Sequence, residues 1–294
     1  MHGILPIDKP KDFTSRDIVN IAMRKFGIKK IGHSGTLDPM ATGVLVLCIG
    51  KATKAISFLQ DSNKVYLAEM KFGIATDTED IWGRIITKSN SHIKVSQIND
   101  AIKNFLGEIE QIPPMYSAKR HNGKRLYQLA REGQIIERKA AKVNILDIKI
   151  IDFNEKDQTA LLKIHCGKGT YIRSLIRDIA KSLNTIATMT KLRRLNNSGF
   201  SIEDCITIDE LKSDNIILDK LFDIDYVFKS YKEIQLENSY FKHITNGMTV
   251  VIDDNMEYND KLYRVYCKDL FIGIGSIKGK SQKGYLLKID KLFI

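Results

Sequence analysis

Residues 32–54 read GHSGTLDPMATGVLVLCIGKATK, and the rest of the chain is best read outward from them. Small and turn-forming residues carry one carboxylate, Asp38, directly before Pro39, and then give way to the apolar run 44–49. Proline biases the residue before it toward an extended backbone, so Asp38 is predicted outside any helix, where a loop enters a strand. Gly32, Gly35 and Gly43 have the freedom to let the chain approach a ligand closely. Taken alone, the Asp-Pro pair also suits an Asx-turn with no chemistry. Two other motifs fail on spacing. A P-loop needs G-x-x-x-x-G-K-[ST], but six residues separate Gly43 from Gly50-Lys51 and Ala52 follows. A nucleophile elbow needs G-x-S-x-G, and Ser34 is followed directly by Gly35.

With 294 residues, the chain can form one large domain and a small one. A hydrophobic content of 43% excludes a disordered chain, and 46 Lys and Arg against 35 Asp and Glu leave a net charge of +11 that favours a polyanionic partner. The charge is concentrated: residues 119–142 hold eight basic side chains against two acidic ones. Cys48, Cys166, Cys205 and Cys267 are far apart and form neither a C-x-x-C pair nor a His/Cys cluster, so reduced thiols are expected, with no metal. No signal-peptide pattern or membrane-length apolar run appears, which points to a cytoplasmic protein.

Along the chain, residues 4–7 read as a strand entering the turn Asp8-Lys9-Pro10. Thr14 or Ser15 can cap a helix with Ile18, Ala22 and Phe26 on one face and Gly27 at its end. Lys9 reads either as a solvated turn lysine or as a phosphate contact. Residues 52–60 suggest a short helix and 64–73 a strand, with Tyr66, Ala68 and Met70 on one face. TDTEDIWGR, 76–84, lacks EF-hand spacing and reads as a hairpin turn. Ser96 can cap a helix through Leu106, stopped by Gly107. Residues 115–142 interleave Lys119, Arg120, Lys124, Arg125 and Arg131 with Tyr116, His121 and Tyr127, as an RNA-following arm or a solvated basic helix would. Residues 142–153 and 159–167 alternate as antiparallel strands, and the second feeds a helix that Thr170 can cap. From about residue 231 the texture becomes short strands, and Gly273 to Gly279 does not fit a dinucleotide fingerprint.

Four blocks of this sequence resemble the TruB family of tRNA pseudouridine synthases: residues 32–45 (GHSGTLDPMATGVL), 113–133 (PPMYSAKRHNGKRLYQLAREG), 169–175 (GTYIRSL) and 188–195 (TMTKLRRL). The turn Asp8-Lys9-Pro10 followed by Thr14-Ser15 is similar to the family's opening, and Lys119 departs from a leucine common there. The resemblance implies an α+β fold with a mixed, mainly antiparallel sheet and flanking helices. It further implies a catalytic domain at 1–228 and a small β-rich, PUA-like RNA-binding module at 229–294.

The implied activity is isomerisation of uridine 55 in the T loop of tRNA to pseudouridine, on a nucleotide flipped out of its stack, with no cofactor, no metal, no membrane and no protein partner. The resemblance makes Asp38, Tyr66 and Arg173 the catalytic set, with Arg173 holding Asp38 ionised and Tyr66 stacking on the uracil. His33, Tyr171 and Leu192 would line the nucleotide site, and Arg193 and Arg194 would lie toward RNA. Asp38 could add to uracil C6, attack C1′ or take the C2′ proton; the sequence leaves the three open. Two other functions are weighed. A tRNA-folding chaperone would explain the charge but give Asp38 and Arg173 no role. A related synthase could instead act on ribosomal or guide-directed RNA.

Overall fold

The computed structural model describes residues 1–213, 218–253, 258 and 260–294. Strand β1 (Gly3–Lys9) leads through a turn into α1 (Ser15–Phe26). Thr14 and Asp17 form a reciprocal capping box at the helix start, and left-handed Gly27 ends it. Strand β2 (Ile31–His33) lies antiparallel to β3 (Thr42–Ile49). From Val44 to Ile49 every β3 side chain is fully buried: Leu45, Leu47 and Ile49 enter the main core, while Val44, Val46 and Cys48 enter a second core on the other face. Burial on both faces explains the unbroken apolar run.

Residues 52–60 are not one helix. A 3-10 turn (Gly50–Ala55) precedes the short α2 (Ile56–Gln60), because Gly50 at φ 62° turns the chain sharply out of β3. Strand β4 (Lys64–Phe72) buries Tyr66, Ala68 and Met70 on one face. The stretch 76–84 joins β5 (Ile74–Thr76) to β6 (Ile85–Lys88) as a hairpin. Helix α3 (Val95–Lys103) begins before Ser96, where Gln97 accepts the Lys94 N–H; it stops short of Gly107, which opens β7 (Gly107–Gln111) instead. Strands β8 (Arg120–His121) and β9 (Lys124–Arg125) flank Asn122-Gly123, both at positive φ as a tight hairpin turn requires, and α4 (Leu126–Arg131) follows. Then come β10 (Ala141–Asn154), β11 (Thr159–Cys166), α5 (Ile172–Ser182), β12 (Ala187–Asn197), β13 (Phe200–Ser201) and α6 (Ile208–Lys212).

The main sheet has the order β1-β3-β12-β4-β11-β10-β7, with β2 and β13 attached to β3 and β12; only the β3–β12 contact is parallel. This is the α+β, mainly antiparallel fold expected. Helices α1, α3 and α5 cover one face, burying Ile18, Ile98 and Leu175 among others against it. A second sheet, in the order β14-β16-β17-β18-β15, is drawn from β14 (Glu233–Leu236), β15 (Val250–Ile252), β16 (Tyr263–Cys267), β17 (Leu270–Ser281) and β18 (Gly284–Leu292). Residues 273–279 lie inside β17. The two sheets meet at an aromatic joint where Phe58 packs edge-on to Phe228, which also contacts Phe271 and Phe293. Among the described residues no helix is long and apolar enough to cross a membrane. The four cysteines are free, and burial pushes the Cys48 thiol up to about 12.

Candidate active site

Asp38 lies in the loop between β2 and β3, and buried cations hold that loop from below. Arg194 on β12 is 1% exposed; its Nε donates to Val44 O at 2.7 Å and its Nη2 to Gly35 O at 3.1 Å. The expectation that Arg194 points toward RNA is therefore corrected. Leu192 is buried, and a strand's two-residue period puts Arg194 on the same inward face. Arg193 takes the opposite face and forms a two-point pair with Asp8, at 2.7 and 3.1 Å.

Lys9 is likewise neither a solvated turn lysine nor a phosphate contact. It is 0% exposed, and its ammonium donates to Pro10 O (2.8 Å), Phe13 O (2.8 Å) and Pro39 O (3.3 Å). The last bond fixes the residue next to Asp38. Burial lowers the Lys9 pKa to about 8, with the Asp38 carboxylate opposing the shift. Ser15, at the start of α1, exchanges hydrogen bonds with the backbone of Leu37. The glycines serve the protein's own close contacts. At Gly43, φ 102°, an added β-carbon would stand 2.2 Å from the Arg194 carbonyl oxygen, and at Gly32 it would meet Ile56 at 2.7 Å.

Above this scaffold, Arg173 grips Asp38 at two points: Nε lies 2.9 Å from Oδ2, and Nη2 donates to Oδ1 at 3.1 Å. The other donors are also used. Nη2 donates to Tyr116 O at 2.8 Å, and Nη1 donates to Thr78 O at 3.0 Å and lies 3.8 Å from Asp80. A guanidinium held at each of its three nitrogens is fixed in orientation, and it fixes the carboxylate it holds. Arg173 is 5% exposed, while 31% of the Asp38 side chain remains accessible. The carboxylate is thus anchored on one side and open on the other.

The hairpin turn 76–84 is part of this anchor, which its sequence did not reveal. Asp77 accepts the Arg84 N–H, Glu79 accepts from Ser174 and Arg177 on α5, and Asp80 accepts from Thr78 and the Trp82 N–H. The acidic groups are committed to protein donors. Burial raises the Asp80 pKa despite the opposing Arg173 charge. A spacing signal exists for Glu79, because Ser174 and Arg177 lie three apart on one helix face. Nothing in the sequence joins that face to the hairpin.

Thr170 does not cap α5. Its hydroxyl donates to Gly167 O, and Tyr171 occupies the N-cap position. Gln111, buried at the end of β7, accepts the Tyr171 N–H at 2.8 Å and donates to Tyr171 O at 3.1 Å. This long-range clamp sets where Tyr171 and Arg173 leave the helix.

Tyr66 faces Arg194 in the β4–β12 register and shares an apolar cluster with Leu37, Met40 and Leu192. Burial raises the Tyr66 pKa, so the phenol is neutral at physiological pH; burial also raises that of half-buried Tyr171. His33 ends β2, and its Nδ1 is buried without a hydrogen-bond partner. Burial, and then the Arg194 charge, lower its pKa and leave the imidazole neutral at pH 7.

The arm residues Lys119, Arg120, Lys124, Arg125 and Arg131 are exposed. The arm has its own small core of Met115, Leu126 and Leu129. Lys124 pairs with Glu132 at 3.4 Å, and Arg131 stacks on Tyr127; Lys119, Arg120 and Arg125 have no carboxylate partner among the described residues. The Tyr116 carbonyl ties the arm to Arg173. Where arm and body meet, Lys119, Gln111, Lys142 and Tyr171 line a cavity of about 150 Å³.

Two family models match the chain. Residues 23–172 match the TruB family pseudouridylate synthase N-terminal domain, and 173–229 match the tRNA pseudouridylate synthase B C-terminal domain. The division at 172/173 falls inside α5 and does not separate the two sheets. Relatives named tRNA pseudouridine synthase B include those of Clostridium kluyveri, 43% identical, and Clostridium novyi, 42% identical, each aligned over 100% of both chains. Among solved structures, a chain of a Cbf5-Nop10-Gar1 complex superposes with a TM-score of 0.74 at 23% identity, covering 99% of this chain and 85% of that one. A chain of an H/ACA RNP bound to a substrate RNA containing 2′-deoxyuridine gives 0.73 at 22%, with the same coverage. These two likenesses concern the fold. With full-length relatives above 40% identity and a family match across the Asp38 loop, this chain belongs to the TruB family of pseudouridylate synthases.

Proposed function

We propose that this protein isomerises uridine 55 in the T loop of tRNA to pseudouridine, with Asp38 as the group that attacks the flipped nucleotide or removes its proton. The observation that carries the reading is the two-point grip of Arg173 on a carboxylate that stays accessible on its other side. The open side leaves that carboxylate room to meet a substrate. Breaking and remaking the bond between uracil and ribose requires one well-aimed carboxylate and involves no net redox change. Attack at C6, attack at C1′ and removal of the C2′ proton are all compatible with this placement.

Tyr66 would stack on the uracil, a contact worth about 1–3 kcal/mol. Its hydroxyl, kept neutral by burial, would take the C5 proton only while passing its own on to solvent. Neutral His33, Tyr171 and Leu192 would hold the displaced nucleotide. Lys119, Arg120, Lys124, Arg125 and Arg131 would follow the phosphates of the T arm, and the module at 229–294 would hold a more distant part of the tRNA. Acting on free RNA in the cytoplasm, the enzyme would need no protein partner. Relatives named for tRNA and aligned over their full length favour this substrate over ribosomal or guide-directed RNA.

The test is tritium release from RNA labelled at uracil C5. A T-arm stem-loop should release tritium at least about a hundred times faster than a ribosomal RNA fragment of equal length. Equal rates would overturn the substrate assignment. No release from either, with binding intact, would leave the chaperone.

A further inference from the structure

We infer that Trp82 and Lys11 form a stacking platform beside the active site, taking the unpaired base next to the target uridine; this rests on the function proposed above. Trp82 is the chain's only tryptophan and lies 50% exposed on the β5–β6 turn. Its backbone is not loose. Asp80 accepts the Trp82 N–H at 3.1 Å, and the Ile81 N–H donates to Met189 O on β12 at 2.9 Å. Asp80 in turn lies against Arg173, which grips Asp38.

Lys11 comes from the turn between β1 and α1. Its ammonium is 6.0 Å from the centre of the Trp82 ring, and the next residue, Asp12, donates its N–H to Pro39 O, adjacent to Asp38. An exposed indole and an ammonium therefore stand together, each a few residues from a group that fixes the reactive carboxylate. That pair has the chemistry of a single-strand contact: a π-face for a base and a cation for its phosphate. The reaction supplies the need for it. Turning one nucleotide out of a loop leaves its neighbour without a stacking partner, and an aromatic face replaces the lost contact.

A single tryptophan makes the platform directly observable. Saturating T-arm stem-loop should quench intrinsic tryptophan fluorescence and protect it from acrylamide, whereas a duplex of the same stem without the loop should do neither. Trp82→Ala should raise the Kd for the stem-loop about tenfold, with the single-turnover rate at saturation within about twofold of wild type, and Trp82→Phe should restore most of the affinity. Lys11→Ala should lower the slope of log K against log salt by about one. Unchanged fluorescence at saturation, or wild-type affinity in Trp82→Ala, would overturn the platform. Tritium release without quenching would remove the platform and keep the isomerase; quenching without tritium release would do the reverse.

Discussion

The Asp38 loop and the arm at 115–142 both depend on cations, and they use them in opposite ways. Around Asp38, Lys9, Arg173 and Arg194 are 0%, 5% and 1% exposed, and their donors are spent on carbonyls and on one carboxylate. On the arm, Lys119, Arg120 and Arg125 are exposed over a core of only a few side chains. A buried cation has lost its hydration and holds a geometry; an exposed one keeps its water and can exchange it for a phosphate. The same residue types thus hold a rigid loop in one region and leave exposed positive charge, which a phosphate could take up, in the other.

Substitutions that remove a buried donor should show this contrast most strongly. Arg173→Lys keeps the charge but cannot reproduce the fork, so single-turnover tritium release should fall by about a hundred- to a thousandfold, with stem-loop affinity changed only a few-fold. A rate within tenfold of wild type would show that the two-point grip is dispensable. Arg194→Met strands the carbonyls of Val44 and Gly35, and urea unfolding should report a loss of about 3 kcal/mol. If stability held while RNA affinity fell, Arg194 would belong with the arm.

Lys9 gives a test by pH. Its pKa is about 8 in the folded protein against an ordinary 10.5, so below pH 8 both states are charged and the whole cost of burial is felt. Between pH 8 and 10.5 the unfolded chain binds more protons, and folding becomes more favourable as pH rises. The stability of wild type relative to Lys9→Met should therefore climb by about 2 kcal/mol between about pH 8 and pH 10, and a flat difference would mean that Lys9 is hydrated. The smallest effects should come from the arm. Arg125→Ala should weaken stem-loop binding about threefold and lower the salt slope by about one, with no change in rate at saturation.

What could be read from the sequence divides along the same line. Some local signals held: the Thr14 cap and Gly27 stop of α1, the apolar strand at 44–49, and the alternation that places Tyr66, Ala68 and Met70 on one face all appear in the structure, whereas the single helix at 52–60 and the Ser96 cap do not. Asp38 and Arg173 were brought together by resemblance to a family, since no spacing rule links residues on a loop and a helix 135 positions apart. Burial of a cation is decided by tertiary packing. Lys9 accordingly looked like any turn lysine, although the two-residue period from Leu192 could have turned Arg194 inward. The α5 start was misread for a similar reason: the group that holds its N-cap residue Tyr171, Gln111, comes from a strand 60 residues earlier.

If the carboxylate aimed by Arg173 carries the chemistry while the exposed cations carry the binding, Asp38→Asn will separate the two when tritium release and stem-loop affinity are assayed in the same preparation. The amide keeps the size of the carboxylate and loses its nucleophilic charge, so turnover should vanish while Kd stays within about tenfold of wild type. Turnover near the wild-type rate would show that the chemistry belongs to another residue.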